Sequence, residues 1–311
     1  PEDFKSETKI EAPRHSDRCP FCPGNEHMTP PEVYSIKDGD EWKIRVIPNK
    51  FPAVSMEGEM SRDFHILYNR ANAIGRHEVV IEARRHDLSI ATMSEQQVRD
   101  VVKVYRDRYK EIMKIPYIQY ITIFRNYGRK AGSSLIHPHS QIIAVPIVPM
   151  NKRITVSEAM RFYDETGECI YCKMMREELK HKERIVLENE HFVVFEPYAS
   201  RLPFETWIMP KHHEAGFDQA SDECIETLGT TLKIVLAKIY NGLKNPHYNY
   251  MILSAPKEEV PAAYYHWHIQ ILPRLTTPAG FEMGSGIYIN VTLPEECAAH
   301  LRNWSAEIPP P

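Results

Sequence analysis

The stretch SSLIHPHSQI places His137, His139 and Gln141 at alternate positions of the chain. In an extended strand alternate side chains point to the same face, so these three would line up while Pro138 and Ser140 turn away. A histidine can bind a metal or attack an electrophile as a neutral imidazole, and a glutamine amide can donate a hydrogen bond without exchanging a proton. The stripe therefore predicts a metal site, a nucleophile or only a polar strand edge.

Four of the six cysteines form two Cys-x-x-Cys pairs, which are a common source of two zinc ligands each. The pairs lie too far apart in sequence for one zinc ribbon, so each pair is expected to complete its site with two histidines of its own half. The predicted ligand sets are Cys19, Cys22, His86 and His137 in the first half, and Cys169, Cys172, His213 and His266 in the second. His212 competes with His213, and buried thiols beside core histidines remain the alternative. Four protein ligands would leave no open position, so both metals are predicted to be structural zinc.

The two halves of the chain repeat the same order of features. Each has a Cys-x-x-Cys pair, strand-like segments leading to a histidine, a helix-like segment, and strand-like segments with a closing His-x-His-x-Gln. The helical patterns cover residues 94–114 and 221–244. This order predicts an α+β fold of two tandem modules, each an antiparallel sheet packed with a long helix. The predicted modules are residues 1–150 and 151–311, with a linker over residues 145–160.

If His137 binds a metal it cannot also react, which leaves His139 as the candidate nucleophile. The segment before it, FRNYGRKAGSSLIHPHSQ, is rich in groups that can bind a phosphate through backbone N–H groups, an amide and hydroxyls. Its candidate phosphate-binding residues are Asn126, Gly132, Ser133 and Ser134.

Composition excludes several classes of protein. The 311 residues are 42% hydrophobic and carry a net charge of -4, which argues against a general nucleic-acid binder. No run of about 18 apolar residues is present, so no membrane span is predicted. The polar start PEDFKSETKI has no signal-peptide core, and a cytoplasmic protein is expected.

Several of these motifs together resemble the galactose-1-phosphate uridylyltransferase family, a double-module branch of the histidine-triad superfamily. They are CPFCPGNE, IPNKFPAV, GRHEVVIE, FRNYG...GSSLIHPHSQI, LENEHFVVFEPYASRLPFETWIMPKHH and the closing His-x-His. Most histidine-triad hydrolases carry a third histidine where this chain has Gln141.

The resemblance implies a two-step reaction in which His139 attacks the α-phosphorus of a nucleotide sugar. A covalent nucleotidyl-histidine forms, sugar 1-phosphate leaves, and a second sugar 1-phosphate takes the nucleotidyl group, here predicted to be UMP. The resemblance places the nucleoside-binding loop at Asn49, Lys50 and Phe51. It also implies a homodimer with shared active sites. Arg14 and Arg18 are candidates for residues that one subunit contributes to its partner's active site.

Two departures resemble a different branch of the family, the ADP-glucose phosphorylases. Leu253 stands where the better-known bacterial transferase has an iron-binding histidine. That transferase also binds the hexose with a glutamate and a glutamine, and neither can be assigned within residues 280–290 of this chain. The alternatives to uridylyl transfer are therefore adenylyl transfer to inorganic phosphate, nucleotide hydrolysis of the histidine-triad type, and a zinc-stabilised binding module. His268, the counterpart of His139, is expected to be a degenerate site because its half lacks the glycine-serine loop.

Overall fold

A computed structural model of the protein describes residues 12–59 and 61–308. The α-helices of this part are α1 (Glu95–Met113), α2 (Met150–Thr166), α3 (Ile170–His181), α4 (Asp222–Gly242), α5 (Gly280–Ser285) and α6 (Pro294–Arg302). Its strands are β1 (Tyr34–Asp38), β2 (Glu41–Pro48), β3 (Arg62–His65), β4 (Tyr68–Ala71), β5 (Arg76–Ile81), β6 (Tyr120–Tyr127), β7 (His139–Val145), β8 (Ile185–Glu188), β9 (Phe192–Phe195), β10 (Thr206–Pro210), β11 (Tyr248–Leu253) and β12 (His268–Pro273).

Ten strands form one antiparallel sheet in the order β1-β2-β5-β7-β6-β11-β12-β10-β9-β8, while β3 and β4 form a separate hairpin. The first five strands in this order come from the first half of the chain and the last five from the second. The predicted α+β fold of two tandem modules is confirmed. The two five-stranded sheets join where β6 pairs with β11, with Asn126 opposite Asn249, and the sequence did not predict this junction.

The two long helices, α1 and α4, cover one face of the sheet and bury most of the apolar core. Each begins at a serine whose hydroxyl accepts a backbone N–H: Ser94 from Gln97, and Ser221 from Cys224. The helices pack closely against each other, since a Cβ at Gly229 of α4 would lie 2.6 Å from the Cα of Arg99 in α1. Two smaller apolar clusters, one that includes Cys169 and one that includes Cys22, lie outside this main core.

A buried polar network crosses the junction between the halves. The carboxylate of Glu82 pairs with the guanidinium of Arg125 and accepts a hydrogen bond from the hydroxyl of Tyr105 at 2.7 Å. That hydroxyl also lies 2.6 Å from the hydroxyl of Tyr250 in β11. All four side chains are almost fully buried, so losing one would leave its partners unpaired away from water.

The prediction of a linker over residues 145–160 is wrong for most of its length. Helix α2 begins at Met150, directly after Pro149, a residue without an N–H that a helix start tolerates well. The helix buries little apolar surface, chiefly Val156 and Ala159, and so its sequence lacks a strong amphipathic pattern. Within the described ranges, none of the helices combines the length and apolar character that a bilayer crossing requires.

The close approach of α1 and α4 makes a testable prediction about stability. Replacing Gly229 by alanine adds a methyl group where the backbone of Arg99 already lies in contact, and we expect a loss of about 1–3 kcal/mol in the free energy of unfolding. Gly284 in α5 has open space at its Cβ position, so Gly284→Ala is the matched control and is expected to be neutral or slightly stabilising. Urea unfolding of both variants measures the difference, and equal midpoints would contradict the packing.

Candidate active site and metal centres

The first Cys-x-x-Cys pair meets two histidines at the edge of β5 and β7. The ligand atoms of Cys19, Cys22, His86 and His137 all lie within 4.8 Å of one another, and the four residues are buried. The sulfur of Cys22 is 3.5 Å from Nδ1 of His86 and 3.5 Å from Nδ1 of His137. The side chain of Asn25 braces the cysteine loop by donating to the carbonyl of Cys19 at 2.8 Å.

The second pair forms a matching cluster with Cys169, Cys172, His213 and His266. The sulfur of Cys172 is 3.2 Å from Nδ1 of His213 and 3.3 Å from Nδ1 of His266. His213, rather than His212, is the histidine that joins this cluster. The hydrogen bond from the Cys172 thiol lowers the pKa of Cys169 well below its usual range, which favours the thiolate form that binds metals.

The distances fit a tetrahedral metal in both clusters. With metal–sulfur bonds of about 2.3 Å and metal–nitrogen bonds of about 2.0–2.1 Å, a tetrahedron places sulfur and nitrogen about 3.6 Å apart. In each cluster one histidine has its second ring nitrogen held: Nε2 of His137 donates to the carbonyl of Ala83 at 2.8 Å, and Nε2 of His213 to that of Ala262 at 3.0 Å. These bonds direct the Nδ1 lone pairs toward the sulfurs, as metal-binding histidines require. Both clusters can bind a metal.

His139 is the first residue of β7, and His137 lies just before the strand. The Nδ1 of His139 donates to the backbone carbonyl of His137 at 2.8 Å, which leaves the lone pair on Nε2. Burial lowers the pKa of His139 to about 4, so the ring is neutral at pH 7. None of the described residues forms a hydrogen bond to its Nε2. The imidazole thus has the tautomer and charge of a nucleophile.

Gln141 lies on the same face of β7, and its orientation is set by His77, a residue that sequence reasoning missed. The backbone N–H of Ala53 donates to Nδ1 of His77 at 3.0 Å, so the proton of this neutral ring resides on Nε2. Nε2 therefore donates to Oε1 of Gln141 at 2.8 Å, and it is also 3.0 Å from the side-chain nitrogen of Asn49, a contact between two donors rather than a hydrogen bond. With its oxygen held by His77, Gln141 keeps its NH₂ group for another acceptor.

The predicted nucleoside loop connects to this network. Asn49 donates its backbone N–H to the carbonyl of His77 at 2.9 Å, and its side-chain oxygen accepts the N–H of Phe51. Phe51 is 83% exposed, which leaves an aromatic ring open to a ligand. Lys50 contacts the carbonyl of Met28 at 3.5 Å. His77 therefore joins Gln141 to the start and the end of this loop.

The predicted phosphate-binding segment lies between β6 and β7. Phe124 pairs with Gln141, which places Asn126, two residues further along β6, on the same face as His139. Gly132 has a φ of 86°, in the left-handed region that glycine adopts most easily, and a Cβ there would lie 3.9 Å from the Asn126 amide. Ser133 donates its hydroxyl to the carbonyl of Leu135, and Ser134 is exposed.

The second half repeats the backbone of this site but not its chemistry. Nδ1 of His268 lies 3.0 Å from the carbonyl of His266, as in the first half. Here, however, the amide of Gln270 lies 3.1 Å from Nε2 of His268, and Arg201 donates to the oxygen of Gln270 at 2.9 Å. The lone pair that would attack is therefore occupied by a hydrogen bond.

The two candidate arginines precede the first cysteine pair. Arg14 and Arg18 are both exposed, and the carbonyl of Arg14 accepts the backbone N–H of His86 at 2.9 Å. Among the described contacts, none joins Arg14 or Arg18 to His139 of the same chain.

Comparison with known proteins identifies relatives over nearly the whole chain. Residues 3–149 match the profile of the galactose-1-phosphate uridyl transferase N-terminal domain, and residues 119–285 match that of its C-terminal domain. An ADP-glucose phosphorylase of Arabidopsis thaliana is 36% identical over 98% of this chain and 87% of its own length. A galactose-1-phosphate uridylyltransferase of Thermotoga maritima is 29% identical over 93% of this chain and 90% of its own.

Solved structures show the same fold. The crystal structure of an ADP-glucose phosphorylase from Arabidopsis thaliana with bound ADP-glucose has a TM-score of 0.83 at 34% identity, covering 96% of this chain and 92% of that one. A uridylyltransferase structure has a TM-score of 0.80 at 28% identity, covering 94% of both chains.

The two metal clusters differ in exposure, which predicts the order in which a chelator removes their metals. All four ligands of the first cluster are buried, whereas Cys172 and His213 of the second are half-buried. We expect two metal ions per chain and release in two phases, with the faster phase belonging to the second cluster. The release of metal is measured over time with a chromogenic chelator.

Single cysteine variants assign the two phases. Cys172→Ser should remove the fast phase and Cys22→Ser the slow phase, while Cys224→Ser, a buried cysteine outside both clusters, should keep both. A single phase in the wild-type protein, or loss of the same phase in both cluster variants, would contradict the assignment.

Proposed function

Because the chain belongs to the galactose-1-phosphate uridylyltransferase family, a family of nucleotidyltransferases, we propose that it transfers a nucleoside monophosphate from a nucleotide sugar through a covalent adduct on His139. The observation that carries this proposal is the state of that imidazole. It is neutral and buried, its Nδ1 proton is held by the carbonyl of His137, and its Nε2 is unoccupied by any described residue.

In the first step Nε2 of His139 attacks the α-phosphorus, and the bond from that phosphorus to the oxygen of the sugar phosphate breaks. The electron pair leaves with sugar 1-phosphate, which is stable as an anion near neutral pH and needs no proton from the protein. The hydrogen bond from Nδ1 to His137 stabilises the positive charge that the ring acquires. The amide of Gln141 can donate to a phosphoryl oxygen during the attack.

In the second step an oxygen of the acceptor phosphate attacks the same phosphorus, and His139 leaves as a neutral imidazole. Glutamine neither gives nor takes a proton here, which disfavours activation of water and supports transfer over hydrolysis. Asn126, Gly132, Ser133 and Ser134 are proposed to bind the phosphates, and Asn49, Lys50 and Phe51 the nucleoside.

Two donor and acceptor pairs fit this chemistry. The first candidate is uridylyl transfer from UDP-glucose to a hexose 1-phosphate, as in galactose metabolism. The second is ADP-glucose phosphorolysis, in which inorganic phosphate takes the adenylyl group. The specific observation that favours the second is the 36% identity to an ADP-glucose phosphorylase, against 29% to the uridylyltransferase of Thermotoga maritima.

We propose zinc for both Cys₂His₂ clusters, because two thiolates and two imidazoles are a donor set that zinc prefers. With four protein ligands each, the ions would supply structural support rather than a site for substrate. In the first half this support would fix His137, whose carbonyl orients the nucleophile.

We also propose a homodimer with shared active sites. Several large apolar side chains near the end of the chain are exposed, a pattern that marks an interaction surface. They are Phe281, Met283, Ile287, Tyr288, Ile289, Val291 and Leu293. In the dimer Arg14 and Arg18 would reach the partner's active site.

A matrix of donors and acceptors tests the proposed reaction. UDP-glucose and ADP-glucose are each incubated with galactose 1-phosphate, glucose 1-phosphate, inorganic phosphate or water, and the products are quantified. We expect turnover with one base and a phosphate acceptor, and little with water. Faster release of nucleoside monophosphate in water than with any acceptor would contradict transfer and revive hydrolysis.

The link between His77 and Gln141 predicts a second kinetic effect. His77→Phe removes the donor that holds the Gln141 oxygen, and a misplaced amide is expected to lower kcat by about 10- to 100-fold. His65→Phe changes an exposed histidine of the β3–β4 hairpin and is the matched control. If Gln141→Ala strongly lowers kcat but His77→Phe keeps the wild-type kcat, His77 does not position the amide.

A further inference from the structure

A large cavity, lined mostly by residues of the second half of the chain, is not used by the proposed reaction. Its volume is about 870 Å³, within the range of sites that bind nucleotide-sized ligands. The floor is formed by strands β6, β10, β11 and β12, and the wall by helices α2 and α3. None of its lining residues belongs to the site around His139, so the cavity is a separate space.

The cavity is built around the second-half counterparts of the catalytic residues. His268 and Gln270 line it, and the ring of Trp207 stacks on His268 with centroids 4.5 Å apart. The ring of Tyr171 also packs on His268, with ring centroids 5.3 Å apart. Since Gln270 occupies Nε2 of His268, this pocket offers aromatic walls without a free nucleophile, and is suited to binding rather than to covalent chemistry.

One cation in the cavity wall lacks a carboxylate partner. Lys152 of α2 is only 7% exposed, and its ammonium contacts the hydroxyl of Tyr265 and lies 4.7 Å from that ring's centroid. Within the described ranges no carboxylate forms an ion pair with it. Burial lowers the pKa of Lys152 to about 7, which reflects the cost of an ammonium held away from water and counter-charge.

The other deep charges of the cavity are already paired. Glu205 forms an ion pair with Arg201 at 2.8 Å, and Glu178 pairs with Arg184 at 2.9 Å. Lys173 places its ammonium 5.6 Å from the ring centroid of Phe162. Among the described lining residues, Lys152 is therefore the one buried cation that has no acidic partner and could pair with an incoming anion.

We propose that this cavity is a second, non-catalytic ligand site for a phosphate monoester attached to a ring, such as a nucleoside monophosphate or a hexose phosphate. Lys152 binds the phosphate, and the wall of Trp207, Tyr171 and Tyr265 contacts the ring. A phosphate supplies the counter-charge that Lys152 lacks, and planar or sugar rings pack well on aromatic side chains. The duplicated module thus keeps a binding pocket after its nucleophile is blocked.

The chain contains methionines that can report on each site separately. Met174 and Met251 line the second cavity, whereas the carbonyl of Met28 contacts Lys50 in the proposed nucleoside loop. Full-length protein with ¹³C-methyl methionine is titrated with AMP and, in a separate arm, with glucose 6-phosphate. We expect saturable shifts of the Met174 and Met251 resonances with at least one probe, and the two arms distinguish the nucleotide from the sugar phosphate.

Two lysine variants provide the decisive comparison. Lys152→Met keeps the side-chain length, removes the desolvated charge, and is expected to weaken probe binding at the cavity by about tenfold or more. Lys173→Met changes a lysine of the same cavity and should leave that affinity within about twofold. Both variants should retain the wild-type response of Met28 and the wild-type rate of nucleotidyl transfer.

The result can overturn the inference in two ways. If neither probe shifts Met174 or Met251 saturably, the cavity does not bind this class of ligand. If the shifts saturate equally in wild type and Lys152→Met, the lysine is not the anion anchor. Neither result touches the reaction at His139, which is measured separately by product formation.

Discussion

The hydrogen bond from Nδ1 of His139 to the carbonyl of His137 is the contact on which the candidate active site depends. It decides which ring nitrogen keeps a lone pair, and it fixes the ring plane against the start of β7. The carbonyl is itself held in place, because the side chain of His137 lies in the first Cys₂His₂ cluster and its Nε2 donates to Ala83. A structural metal would thereby act on catalysis through the backbone, without contacting any substrate.

The duplicated halves differ in one contact that separates the proposed nucleophile His139 from its counterpart His268. Both halves keep the same backbone contact at the second histidine of the motif, at 2.8 Å in one and 3.0 Å in the other. They differ in the glutamine that follows. His77 holds Gln141 in the first half, whereas Arg201 holds Gln270 in the second, and there the amide contacts the ring that would otherwise attack. By strand pairing, Glu205, directly before β10, corresponds to His77 in β5, because each lies two residues before the residue that pairs with the glutamine. The exchange of His77 for Glu205 thus accompanies the blocked Nε2 of His268.

The sequence predicted the fold class and brought the metal-cluster residues to attention, because cysteine pairs and alternating histidines carry strong local spacing rules. His77 was missed since a single histidine in a strand has no pattern of its own, and its role depends on Gln141, 64 residues away in sequence. Helix α2 was missed because it buries few apolar residues and so lacks periodicity. The joining of two sheets at β6 and β11 depends on pairing between distant strands, which local sequence does not encode.

Of the two corresponding histidines, we propose that His139, and not His268, carries the nucleotidyl group. Peptide mapping of the protein after brief exposure to a nucleotide sugar, with mass spectrometry at neutral to basic pH to preserve the phosphorus–nitrogen bond, locates the adduct directly. We expect one nucleoside monophosphate per chain on the peptide that contains His139, and none on the peptide that contains His268. An adduct on His268, or on any residue other than His139, would contradict it.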